Sequence, residues 1–369
     1  RVAVAGLRLP ALSATPVALE TGDIGGASPF TYDGRVLTTP FARITFDENG
    51  AITSFIDRRC DRELCGEGQP FNTFLMAEDV PQGWDNWDID ADLEMKFRPV
   101  GELLSREVAA DGAVEFRLRS RYRLSPKSTL EQDMIVYADS PLVRFDTVMH
   151  WQDDHRFLKV AFDTNVFADS ARFDMQFGHL KRPTTRSTSE ESAKFEVVNH
   201  KFTDLSENRY GVALLNDCKY GISVLGGQMR LSLHKGGLRP DYTGDHGDHM
   251  CTYALLPHMG GFTAETVVQP AYMLNDDVIV LDGRCELPSL LTVDADNVIV
   301  ETVKPCEDSD RAYIVRLYEA EGTTTRTKLH FASQPKAVMV TNMLEEAEEP
   351  MGDSLTFRPF QIRTLRVEY

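Results

Sequence analysis

The sequence predicts an all-β protein, and three observations carry the prediction. Apolar and charged residues alternate strictly over Val114 to Leu124. Short strand-like runs recur along the chain with turn residues between them. No long stretch keeps the 3.6-residue spacing of an amphipathic helix.

In the first of these, Val114, Phe116, Leu118, Tyr122 and Leu124 share one face, and Glu115, Arg117, Arg119, Arg121 and Arg123 share the other. A period of two is that of an antiparallel strand with one face buried. Phe41 to Asp57 predicts a hairpin, because the tight-turn pair Asn49-Gly50 separates F-A-R-I-T-F from I-T-S-F-I. Arg144 to Gln152 and Lys159 to Phe167 predict further strands. Ala312 to Phe331 predicts a late hairpin around Gly322. Leu205 to Arg209 reads as a short turn, Lys181 to Ala193 as a solvent loop, and Glu345 to Glu349 as an acidic turn. Many short strands with regular turns point to sandwiches, and a boundary is expected near Asn275-Asp276-Asp277.

At 369 residues the chain suits two or three domains and a large core. Its net charge of −18 opposes nucleic acid and anionic membranes. No apolar run reaches the ~20 residues of a spanning helix. The six cysteines are scattered without a C-x-x-C pair, and no Asn begins an N-x-[ST] site. Both facts fit a reducing, cytoplasmic setting.

Ala77 to Asp92, A-E-D-V-P-Q-G-W-D-N-W-D-I-D-A-D, is the most informative segment. It holds Trp84 and Trp87, two of the three tryptophans of the chain, among many carboxylates. Such a mixture suits neither a core strand nor a disordered tail. Flat indole faces beside Asp85 and Asp88 suit a sugar, whose C–H face packs on the ring while its hydroxyls bond to carboxylates. An aromatic clasp pinning a surface loop is the competing reading. Asp241 to His249, D-Y-T-G-D-H-G-D-H, offers His246 and His249 beside Asp245 and Asp248. Metal ligation is conceivable there, but H-x-x-H in a loop is a loose match without a third ligand at fixed spacing. The run N-D-C-K-Y-G at Asn216 to Gly221 reads as structural, with Gly221 in a left-handed turn and Cys218 as a small hydrophobe. His258 reads as a strand-end structural histidine.

These segments resemble the C-terminal half of glycoside hydrolase family 38, the zinc-dependent α-mannosidases. Trp84 to Ile89 falls on a W-D-A-W-[DN]-[IV] pattern, with Asn86 in place of the small residue. Arg209 to Gly221, Met229 to Leu233, Pro240 to His249, Thr252 to His258 and Arg358 to Arg366 match further family segments in the same order.

The resemblance implies a galactose-mutarotase-like β super-sandwich over 29–275 and a smaller C-terminal β-sandwich over 276–369. Residues 1–28 would be the closing strand of an upstream β domain plus a linker. The chain starts at Arg1 without Met and is expected to be part of a longer polypeptide. The resemblance also places the catalytic nucleophile, the acid/base carboxylate and most zinc ligands upstream. No catalytic or metal residue is therefore expected here, and zinc is expected only in the intact enzyme. Trp84, Asp85, Trp87, Asp88, Asp241, Asp245 and His249 are expected near the sugar pocket or its domain interface. The expected partners are a mannoside or oligosaccharide and the N-terminal catalytic domain of the same polypeptide; a homo-oligomer is left open. A non-catalytic carbohydrate-binding module is the alternative function. An aldose epimerase, drawing on His150 and His155 around Trp151, is a weaker one.

Overall fold

The computed structural model describes residues 7, 9–18 and 26–369. The architecture is all-β. A nine-stranded antiparallel sheet runs in the order Gly178–Pro183, Ser170–Met175, Phe202–Ser206, Tyr210–Asn216, Gly247–Met259, Val143–Trp151, Thr129–Tyr137, Glu115–Arg123, Glu102–Asp111. A six-stranded sheet faces it, in the order Val197–Val198, Gly221–Leu225, Gln228–Lys235, Arg156–Asp163, Thr73–Glu78, Arg98–Val100. A five-stranded meander, Thr31–Tyr32 to Arg62–Glu63, packs into the same core.

The core follows from side-chain alternation. Glu115–Arg123 sends Phe116, Leu118 and Tyr122 inward, as its sequence predicts. The central strands are apolar on both faces because both faces are covered. In Tyr210–Asn216, Val212 and Leu214 join the sandwich core, while Ala213 and Leu215 meet Ala264, Val267, Val268 and Ala271 on the opposite side. Those four alanines and valines belong to one helical segment, a π-helical turn Ala264–Val268 that runs into the α-helix Gln269–Asn275. Thr263 caps it, accepting from the Thr266 amide while the Thr266 hydroxyl accepts from the Thr263 amide. Sequence reading missed this helix because it is short and carries Pro270 near its middle.

The C-terminal sandwich has its own core around Val315, Leu317, Phe357, Leu365 and Val367. Its five-stranded sheet is ordered Val298–Pro305, Ala312–Glu319, Ile362–Glu368, Ala337–Thr341, Ala347–Pro350. The expected hairpin over 312–331 does not form. Ala312–Glu319 pairs with Val298–Pro305 and Ile362–Glu368, while Leu329–Phe331 pairs with Leu291–Val293. The buried Glu319 carboxylate explains the break. It accepts the amides of Glu321, Gly322, Thr323 and Phe360, holding 320–323 as a turn away from the strand.

Smaller expectations shift too. The strand from Lys159 stops at Asp163, where Thr164 turns against Gly227. The 181–193 stretch ends one strand, Gly178–Pro183, and holds a short helix, Ser189–Ala193. Leu205 lies in a strand, not a turn, and 347–350 is a strand. Gly221 is also a strand residue; a Cβ there would stand 3.0 Å from Glu196 Oε1. Cys218 is exposed rather than packed as a small hydrophobe, and all six cysteines are unpaired. Among the described residues no helix is long and apolar enough to cross a membrane.

Candidate functional site

Three segments meet at one end of the sandwich: the loops 79–92 and 152–155, and 236–249, a loop whose last residues begin the strand Gly247–Met259. Glycines let them touch. A Cβ on Gly237 would stand 2.9 Å from Asn86 N and from the Asp85 carbonyl atoms, and one on Gly236 would stand 2.3 Å from the Asp153 carbonyl oxygen. Only a residue without a side chain permits this approach.

The tryptophan loop is held from below. The Asp85 side chain is buried, and its oxygens accept the amides of Leu238 at 2.9 Å and Arg239 at 2.6 Å. Burial works to raise its pKa, but those two amides outweigh it and the carboxyl sits below the usual carboxylate range. His155 Nδ1 lies 3.1 Å away. Asn86 donates its amide to the Arg239 carbonyl and accepts from the Asp241 amide. At the far end, Lys235 donates to the Asp88 carbonyl and pairs with Asp79 at 3.0 Å. Burial pushes the Asp79 carboxyl up, and Lys235 only partly offsets that. Ala77, Leu93 and Phe157 form a small apolar floor beneath.

Anchored this way, both indoles face solvent. Trp84 is 57% exposed and Trp87 74%, with ring centroids 6.0 Å apart and planes at 46°. Asp88 is exposed beside them. Asp85 is not: its carboxylate is buried beneath the loop, turned to the Leu238 and Arg239 amides.

The neighbouring loop is polar and internally satisfied. Asp241 accepts from the Thr243 amide and hydroxyl, which lower its pKa. Asp245 has φ of 49° and is exposed. Its carbonyl lies 2.6 Å from His249 Nε2. His246 pairs with Asp154 at 2.8 Å, and His150 with Asp248 at 2.7 Å. The His249 ring packs at a tilt against His234, which packs at a tilt against the buried Trp151. Burial, then the nearby His249, depresses His234 to about 3. Each histidine thus turns to a different partner. Among the described residues no three His, Cys, Asp or Glu side chains converge on a metal position, so this donor set does not fit zinc. His150 and His155 take separate carboxylates, Asp248 and Asp85. His258 is elsewhere, buried against Asp204 at 3.0 Å.

Sequence reading missed Asp79, His234 and Lys235, and it weighed His155 only for an epimerase, not as a partner of Asp85. The adjacent Gly236-Gly237 pair was the available signal, since paired glycines after a strand mark close backbone approach.

Known proteins resemble the chain along most of its length. Residues 37–243 match the model of the glycosyl hydrolases family 38 C-terminal domain, and residues 297–365 that of the family 38 C-terminal beta sandwich domain. Alpha-mannosidase 2C1 of Homo sapiens is 38% identical over 349 residues, covering 90% of this chain and 34% of its own length. Alpha-mannosidase G of Dictyostelium discoideum is 34% identical over 352 residues, covering 90% of this chain and 32% of its own length. The chain therefore spans about a third of the length of these relatives. The crystal structure of an alpha-mannosidase from Enterococcus faecalis V583 shares the fold, with a TM-score of 0.80 at 17% identity, covering 95% of this chain and 44% of that one. On these matches the chain belongs to glycoside hydrolase family 38, of which it forms a C-terminal portion.

Proposed function

We propose that this chain forms the sugar-facing rim and docking scaffold of an enzyme that hydrolyses terminal α-mannosides with retention. The observation that carries the reading is the exposed Trp84–Trp87 pair, held outward by the buried Asp85 carboxylate. Indole kept in water costs free energy unless something covers it, and a pyranose face or the catalytic domain is the cover this reading supplies. On this reading Asp88 beside the pair, and Asp241, Asp245 and His249 on the adjoining 236–249 segment, would supply partners for sugar hydroxyls. The nucleophile, the acid/base carboxylate and zinc belong to residues outside this chain. The division proposed is 29–275 for the large sandwich and 276–369 for the small one; of the expected lead-in 1–28, residues 1–6, 8 and 19–25 lie outside the described residues. Six unpaired cysteines support a reducing compartment.

The test is kinetic. In the full-length enzyme, Trp84→Ala and Trp87→Ala should each lower kcat/KM about five- to a hundred-fold, the loss of ~1–3 kcal/mol of stacking and burial. The melting temperature should hold. Unchanged kinetics would make the loop a structural clasp. A loss of glycan binding with intact turnover of a small mannoside would favour the non-catalytic binding module.

A further inference from the structure

A second aromatic surface lies on the C-terminal sandwich, built from strands that contribute nothing to the loops around Trp84. Tyr313 pairs across the sheet with Val367, so Tyr369 is its diagonal neighbour on the same face. The two rings stack, with centroids 5.8 Å apart, planes at 19° and hydroxyls 3.3 Å apart. They line an open groove of about 450 Å³, together with Leu290, Pro305, Asp310 and Arg311.

The charges at the groove narrow the ligand class. Lys304 is neutralised, paired with Glu345 and, at 3.5 Å, with Glu307. Asp310 and Arg311 are exposed, and their side chains have no hydrogen-bond or ion-pair partner among the described residues. One free carboxylate and one free guanidinium nearly cancel. A phosphorylated or acidic ligand would meet Asp310 and the net charge of −18. A purely apolar ligand would leave both polar groups unused. A neutral polyhydroxyl ring fits both features, packing its C–H face on tyrosine while its vicinal hydroxyls bond to the carboxylate and the guanidinium.

We propose that this groove is a second carbohydrate site, which takes a neutral pyranoside unit of a glycan. On the hydrolase reading proposed above, it would tether a polymeric substrate to the small sandwich and raise its local concentration at the catalytic centre. The inference does not depend on the reading of the tryptophan loop.

Affinity electrophoresis of the 369-residue chain through gels containing α-mannan, xylan or soluble β-glucan tests it. At least one polysaccharide should retard the parent chain, and a Trp84→Ala/Trp87→Ala double variant should stay retarded. Tyr313→Ala and Arg311→Ala should each weaken retardation about tenfold, the order of loss for a stacked ring or a charged hydrogen bond. Tyr313→Phe should keep most of it, since the ring face remains. Arg311 is exposed, so Arg311→Ala decides the matter if Tyr313→Ala fails to fold. The proposal is overturned if no polysaccharide retards the parent, if retardation survives both alanine variants, or if only the tryptophan variants abolish it.

Discussion

Lys235 Nζ stands 3.0 Å from Oδ2 of Asp79, whose side chain is 2% exposed, and the same ammonium donates to the carbonyl of Asp88. One charge thus ties the ends of two strands, Thr73–Glu78 and Gln228–Lys235, to the far end of the tryptophan loop. Between those strands lies Arg156–Asp163, so the tie crosses a third strand.

Removing that ammonium should loosen the loop. Lys235→Met keeps most of the stem but leaves Asp79 buried without its cation, at a cost of up to about 3–5 kcal/mol. Asp79→Asn added to Lys235→Met should recover much of the loss. Chemical denaturation measures the first effect. Acrylamide quenching of tryptophan emission measures the second, because Trp151 is fully buried and any gain in quenching comes from Trp84 and Trp87. Equal quenching in Lys235→Met and the parent would show that Lys235 does not position the loop.

Asp85→Ala should leave the Leu238 and Arg239 amides without their acceptor, costing about 1–3 kcal/mol. The pH dependence follows from the lowered pKa. Stability supplied by Asp85 is complete above the unfolded carboxylate value of ~3.9 and is lost as pH falls through the lower folded value. The difference in stability between parent and Asp85→Ala should therefore be flat above about pH 4 and shrink below it. A difference that shrank near neutrality would contradict this.

His234 has the opposite consequence. Its folded value is about 3, against an ordinary 6.5. Below pH 6.5 the unfolded chain takes up a proton that the folded chain refuses, so His234 removes stability as pH falls from 6.5 toward 3. His234→Phe keeps a ring against Trp151 and cannot titrate. Its stability relative to the parent should rise on acidification by up to roughly 1.4 kcal/mol per pH unit. Urea melts at pH 7, 6 and 5 measure the slope.

Gly237→Ala should destabilise the chain by about 1–3 kcal/mol, because its Cβ would meet the backbone of Asp85 and Asn86 at 2.9 Å and backbone cannot swing aside. Gly352→Ala is the matched control, since nothing lies within 4 Å of the added carbon. Thermal melts of the two variants should separate clearly. Coincident melts would show that the contact between the two loops yields at little cost.

Local pattern made much of this protein legible. The alternation of Phe116, Leu118 and Tyr122 named a buried face, and Asn49-Gly50 lies in the observed turn between Ala42–Phe46 and Ile52–Asp57. The segments around Trp84, Tyr210 and Asp241 identified the family without any coordinates. The reason is physical in each case. Period-two alternation, turn chemistry and motif spacing are properties of neighbouring residues, which a sequence displays directly.

Partners distant in the chain were settled only by the tertiary structure. Nothing beside Ala312 announces that it pairs with Glu368 rather than with the residues after Gly322, since strand pairing depends on packing across the whole sandwich. The helix at 264–275 exists because Ala213, Leu215, Ala254 and Leu256 leave an apolar face to cover. Asp85 and Trp84 are adjacent in a segment whose composition suggested that both meet solvent. The amides of Leu238 and Arg239, more than 150 positions away, draw the carboxylate inward and leave the indole outside. A sequence shows which residues are capable of a contact. Which of them are buried is fixed by where the folded chain brings its free amides, because a carboxylate enters the interior only where donors are already in place.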